Sequence, residues 1–340
     1  MTGEEQRPDP PVAHEPLPWQ GEAWLHLDRQ IASGRLPHAL LFAGPKHTGK
    51  GHLAQCLARR LLCHEPSGGL PCERCHACDL SASGGHGDMR WVQPEEKSRV
   101  IKIDQVRELV DFSHKTASFG RCKVLVLAPA DSMNASAANA LLKSLEEPAA
   151  DTYLILVCHR LHGLPATIRS RCQILRLPAP APAESRRWMD RLTGSPEESS
   201  QLLSLARGLP LLAEQIYRTG QRAERTALHA ALRSGCLGEE ETSEIAARLS
   251  GMTLDEVLAH LAAVLEDLLR GLDQDQLAGP TGRGVFALLD ETARLQRAVF
   301  AGAYPNPQLM TEGLLVKSRR VLGDARLGDN MVKKGGRIYE

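Results

Sequence analysis

The stretch Gly44-Pro-Lys-His-Thr-Gly-Lys-Gly51 constrains this chain more than any other. It closes a short apolar run, His38 to Gly44, that is suited to a buried strand. Behind it, Leu53, Leu57, Leu61 and Leu62 fall at helical spacing. Strand, glycine-rich turn and helix in that order build a phosphate loop, in which Lys50 would reach the β- and γ-phosphates. The pattern calls for Ser or Thr after the lysine, to hold Mg²⁺, and that position is Gly51. A strand-helix turn that never bound phosphate is the plainer alternative, and the specific flanking pattern weighs against it.

Two further buried strands are predicted at Lys123–Ala128 and Thr152–Cys158. Between them, Met133, Ala137, Ala140, Leu141, Ser144 and Leu145 mark a helix closed by Glu147-Pro148. Another helix is predicted to start at Asp104 as N-cap, with Val106, Leu109 and Val110 on one face. Strands alternating with helices predict an α/β fold, a parallel sheet wrapped by helices. After Leu177–Ser185 no strand pattern returns. Leu-, Ala- and Arg-rich helices run to about Arg320, broken at Gly194-Ser-Pro196, Gly208-Leu-Pro210 and Gly279-Pro280. A chain of 340 residues suits two or three domains. The expected division is a lead-in over 1–18, an α/β domain over 19–178, a small helical domain over 179–221, a larger one over 222–325, and a loose tail over 326–340.

A working phosphate loop needs an Asp from a second strand for its metal and an adjacent acid to orient water. In Lys123–Asp131, "KVLVLAPAD", those places hold Ala128 and Pro129, and Asp131 is better suited to capping the next helix. With Gly51, three parts of one site are missing. Nucleotide hydrolysis is therefore not expected, and any remaining nucleotide binding would run through Gly44, Gly49 and Lys50.

Cys63, Cys72, Cys75 and Cys78 crowd into sixteen residues, where uniform scatter of the nine cysteines would place fewer than one. Thiolates spaced C-x8-C-x2-C-x2-C can hold one tetrahedral zinc, and a four-sulfur site leaves no position open for catalysis. His64, His76 and His86 are possible substitutes, but the all-cysteine set fits best. The alternative is four ordinary thiols. The other five cysteines are expected in cores.

Basic and acidic residues balance at 41 each, so no overall field favours nucleic acid or an anionic membrane. No run approaches the roughly 18 apolar residues of a membrane helix. The polar, proline-rich start is unlike a secretory signal. A cytoplasmic protein without membrane contact is expected.

"ANALLKSLEEP" (Ala138–Pro148) and "IRSRC" (Ile168–Cys172) look like the signatures of clamp-loader ATPase subunits in the AAA+ superfamily. With the loop and the cysteine module, the chain resembles the delta-prime family of the bacterial DNA polymerase III clamp loader over about residues 19–178. The likeness is weaker beyond, where Asn306–Val316 resembles the family's closing helix. The resemblance implies an AAA+ parallel sheet with a zinc-binding insertion at 63–78, a helical lid, and a helical collar joining the subunits into a pentamer. It implies gamma/tau and delta subunits as partners, with the sliding clamp and primer-template DNA met through the complex. Ser170-Arg171-Cys172 matches a motif whose arginine reaches ATP held by the neighbouring subunit. Leu211 stands where active relatives place a nucleotide-sensing arginine, and the second sensor is altered near Cys158 and His159. These departures point to a stator that completes a neighbour's site as part of the DNA-directed DNA polymerase III holoenzyme, a nucleotidyltransferase complex. Two other readings are an ATP-hydrolysing gamma/tau-like motor and a zinc-dependent DNA-binding protein; the latter lacks a basic, aromatic-studded patch around its cysteines.

Overall fold

The structure, a computed structural model, describes residues 14–95, 98–119, 121–300 and 305–323. Most of the expected lead-in and the whole expected tail (326–340) lie outside the described residues. The chain divides into two compact units, 1–215 and 216–340.

The first unit is built on five parallel strands: β1 (Ala39–Ala43), β2 (Met89–Val92), β3 (Lys123–Leu127), β4 (Thr152–Cys158) and β5 (Gln173–Arg176). Their order is β2-β3-β4-β1-β5. Each central strand is buried on both faces, so its sequence is a continuous apolar run, and alternate residues serve opposite cores. Leu40, Phe42, Val124, Val126, Ile155 and Val157 point to one side. There they meet α1 (Gly21–Ala32) and α2 (Lys50–Leu62), through Trp24, Leu27, Leu53 and Leu57. Leu41, Leu125, Leu127, Leu154 and Leu156 point to the other.

The module between α2 and β2 carries a short helix, α3 (His76–Ala82). On the second face lie α4 (Ile103–Ser113), α5 (Ala135–Glu146) and α6 (Ala166–Arg169). Two expectations are corrected here. The N-cap of α4 is Lys102, and Asp104 falls in its first turn, where it faces the helix dipole favourably. The cap of α5 is Asn134, whose side chain accepts from Ala137 N at 2.8 Å, so Asp131 is free for another task.

Three helices complete this unit: α7 (Pro182–Thr193), α8 (Pro196–Leu205) and α9 (Pro210–Thr219), the last running across the division at 215. The breaks fall where the Gly-Pro pairs predict them. Gly194 ends α7 in a left-handed conformation, and Ser195 caps α8 with Pro196 in its first turn.

The second unit is helical among its described residues: α10 (Arg222–Leu237), α11 (Thr242–Arg248), α12 (Leu254–Gly271), α13 (Gln274–Ala278), α14 (Pro280–Phe300) and α15 (Pro307–Gly323). Helix α12 supplies the spine of its core, with Val257, Leu258, Leu261, Val264, Leu265 and Leu268 fully buried.

Candidate functional site

Among the described residues, two candidate sites stand at the ends of α2. At its N-terminus, Gly44–Gly49 follows β1, at the carboxyl edge of the sheet where ligands of such folds bind. Gly49 is left-handed (φ 83°), and a Cβ there would lie 2.3 Å from Leu17 Cδ1, so only glycine fits. The loop closes on itself. Pro45 O accepts from the Thr48 hydroxyl at 3.0 Å and from the Lys50 ammonium, which also donates to Thr48 Oγ1 at 3.4 Å. Lys50 is buried, and burial pushes its amine down to about 8, with the nearby Asp131 charge pulling the other way.

Asp131 is the residue that sequence reasoning misplaced. It is buried, accepts from His159 N at 2.8 Å, and faces Arg160 Nε at 3.7 Å. It is thus the buried acid near Lys50, while Ala128 and Pro129 occupy the places after β3. Burial, reinforced by Lys50, holds the His159 imidazole down at about 4, hence neutral, and burial pushes the Cys158 thiol up to about 12. Leu211 does reach the loop, 3.4 Å from where a Gly49 Cβ would stand, and it brings an apolar side chain there. At Gly51 a Cβ would meet only Trp91, at 3.9 Å, so the missing hydroxyl is not a matter of space.

At the other end of α2, Cys63 caps the helix. Cys72 lies in the following loop, Cys75 caps α3 and Cys78 sits in the first turn of α3. The four sulfurs lie within 4.8 Å of one another, with Cys63–Cys75 and Cys72–Cys78 each at 4.0 Å. Zinc–sulfur bonds of about 2.3 Å in a tetrahedron put sulfurs about 3.8 Å apart, so the set fits that ion. The Cys72 amide donates to Cys63 Sγ at 3.2 Å. Hydrogen bonds from backbone amides, that of Arg74 first, draw the Cys72 thiol down to about 6. His86 is not part of the set: its Nδ1 accepts from Asp88 N at 3.1 Å and its ring packs on Phe119.

Arg171 is at the far edge of the sheet. Gln173 pairs with Leu40 and Arg176 with Ala43, so Arg171 precedes the strands while the loop follows them. At about 3.3 Å per strand residue the two are separated by roughly 15 Å or more, too far for Arg171 to serve this chain's own loop. Its guanidinium donates to Thr167 O at 3.0 Å and pairs with Glu146 at 2.6 Å, about one third exposed.

The profile of the family described as "DNA polymerase III, delta subunit" matches residues 19–181. A DNA polymerase III subunit delta' from Yersinia pestis is 33% identical over 274 residues, covering 76% of this chain and 80% of that protein. The chain belongs to the DNA polymerase III delta' subunit family. A delta' subunit from Pseudomonas aeruginosa is 43% identical over 210 residues, covering 61% of this chain and 63% of that relative's length. Among solved structures, a DNA polymerase III gamma subunit-related protein from Thermotoga maritima superimposes with a TM-score of 0.52 at 18% identity, covering 88% of this chain and 99% of that one. That likeness concerns the fold, an AAA+-type parallel sheet followed by helices. No helix among the described residues is long and apolar enough to cross a membrane.

Proposed function

We propose that this delta' family member is a non-hydrolysing, stator-like clamp-loader subunit that supplies Arg171 to ATP bound by its neighbour. In this reading 19–178 is the AAA+ domain, 179–221 its lid and 222–325 an oligomerising collar. Gamma/tau and delta subunits complete a cytoplasmic pentamer that places the sliding clamp on primed DNA.

The observation that carries the proposal is the separation of Arg171 from the chain's own loop, with the guanidinium at the surface on Glu146 and Thr167. A planar, permanently charged guanidinium can neutralise charge that grows on transferred phosphoryl oxygens. The pairing with Glu146 is exposed and therefore weak, so a neighbour's polyphosphate can displace it.

The loop supports the other half of the reading. Lys50 is turned onto Pro45 O, and Gly51, Ala128 and Pro129 offer Mg²⁺ and water no ligand. Asp131, committed to His159 N and Arg160, is not a free acid. Cys63, Cys72, Cys75 and Cys78 would hold a structural zinc, which supplies a closed four-sulfur crosslink and no open coordination position. The test is ATP turnover by the pure chain. It is expected at background, and Gly51→Thr, whose Cβ would meet nothing nearer than Trp91 at 3.9 Å, is expected to leave it there. Steady turnover lost in Lys50→Ala would instead favour a gamma/tau-like motor.

A further inference from the structure

Residues 14–20 touch three parts of the first unit in succession. At one end the His14 imidazole stands 2.8 Å from Arg59 Nη1 and against the carboxylate of Glu73. Arg59 is almost fully buried on α2, and the His14 ring is one of its partners. Glu73 lies between Cys72 and Cys75, in a left-handed conformation (φ 58°) that fixes the turn between two metal ligands.

Further along, Glu15 O accepts from His52 Nε2 at 2.7 Å. At the other end the segment grips the phosphate loop. Trp19 Nε1 donates to Thr48 O at 3.0 Å, and Gln20 Nε2 donates to Thr48 O at 3.2 Å and to Gly49 O at 2.8 Å. Gln20 is buried and its Oε1 accepts from Leu17 N, so the whole amide is committed. Trp19 also packs edge-on against Trp188 of α7, which donates to Glu214 of α9 at 3.0 Å.

We propose that residues 14–20 are a strap that couples the cysteine module to the phosphate loop, so that an ordered metal site holds Gly44–Gly51 in one conformation. The strap's near end depends on where Glu73 stands, and Glu73 stands where two metal ligands put it. Its far end brings two donors to the carbonyl of Thr48 and a second donor to that of Gly49, which also accepts from Leu53 N at 2.9 Å. The coupling rests on the reading of the four cysteines as a metal site, and the test separates the two.

Hydrogen exchange is measured on the full chain as purified, alongside its metal content. His14→Ala and Gln20→Ala are expected to speed exchange across residues 44–51 by about tenfold, the effect of one or two lost hydrogen bonds, with metal retained. Chelation of the wild-type chain is expected to produce the same acceleration, and to add nothing to it in His14→Ala. Glu65→Ala, in the same module but paired with exposed Arg74, is expected to exchange like wild type. Wild-type loop exchange in both strap variants would overturn the strap. A purified chain without metal would overturn the metal reading and the coupling with it, whatever the loop does.

Discussion

Lys50→Met should stabilise the first unit at neutral pH, although it removes the residue that a phosphate loop most needs. The buried amine is held at about 8 against an ordinary 10.5, mainly by desolvation. At about 1.4 kcal/mol per pH unit, keeping it charged costs the fold about 3 kcal/mol below pH 8. The bonds to Pro45 O and Thr48 Oγ1 return about 1 kcal/mol each. Methionine keeps the volume and drops the charge, so a net gain of about 1–2 kcal/mol is expected at pH 7.

The sign follows from proton counting. Between pH 8 and 10.5 the unfolded chain binds the proton and the folded one does not, so wild-type stability rises with pH in that window. About 2 kcal/mol of the cost should be gone by pH 9.5, which erases the variant's advantage. All four tryptophans lie in the first unit, so urea unfolding followed by their fluorescence reads this unit alone. A variant less stable than wild type at pH 7, or a difference unchanged from pH 7 to 9.5, would refute the argument.

Metal analysis of chain purified without chelator should find one zinc, and Cys75→Ser should loosen residues 63–88 in hydrogen exchange while β1, β3 and β4 stay protected; absence of zinc would contradict this. Gly49→Ala should destabilise the first unit by roughly 2–4 kcal/mol, since it strains a left-handed residue and drives a methyl into Leu17 and Gln20. Urea midpoints measure it, and a cost below about 1 kcal/mol would mean the strap yields easily.

The strands that are buried on both faces were legible, because β1, β3 and β4 are continuous apolar runs. Strands β2 and β5 were not. They form the two edges, are only partly buried, and read as Met-Arg-Trp-Val and Gln-Ile-Leu-Arg, four residues each with charged or polar side chains among them, too short an apolar run to signal a strand. The cysteine set was legible from spacing alone, since four cysteines within sixteen residues stand out by residue type, and their sulfurs do converge. Asp131 was not: a short helical turn after β3 carries it inward beneath the loop, and nothing in its neighbours' polarity marks that turn. The strap escaped for a similar reason. Its grip is made by backbone carbonyls and a glutamine amide across 28 or 29 residues, and such contacts leave no periodicity.

The most direct test concerns Arg171. In the best-studied GTPases an arginine supplied in trans is worth roughly 10³–10⁵ in rate, and one such residue among several in a pentamer should matter less to total turnover. The full loader is reconstituted with wild-type, Arg171→Ala or Arg171→Lys chain, and clamp- and DNA-stimulated ATP turnover is measured beside pentamer assembly and zinc content. The account predicts intact assembly and zinc, slowed hydrolysis at the adjacent motor subunit, and little rescue by lysine, which lacks the planar fork. Normal turnover and clamp loading with Arg171→Ala would contradict it, and would leave Arg171 as the surface partner of Glu146.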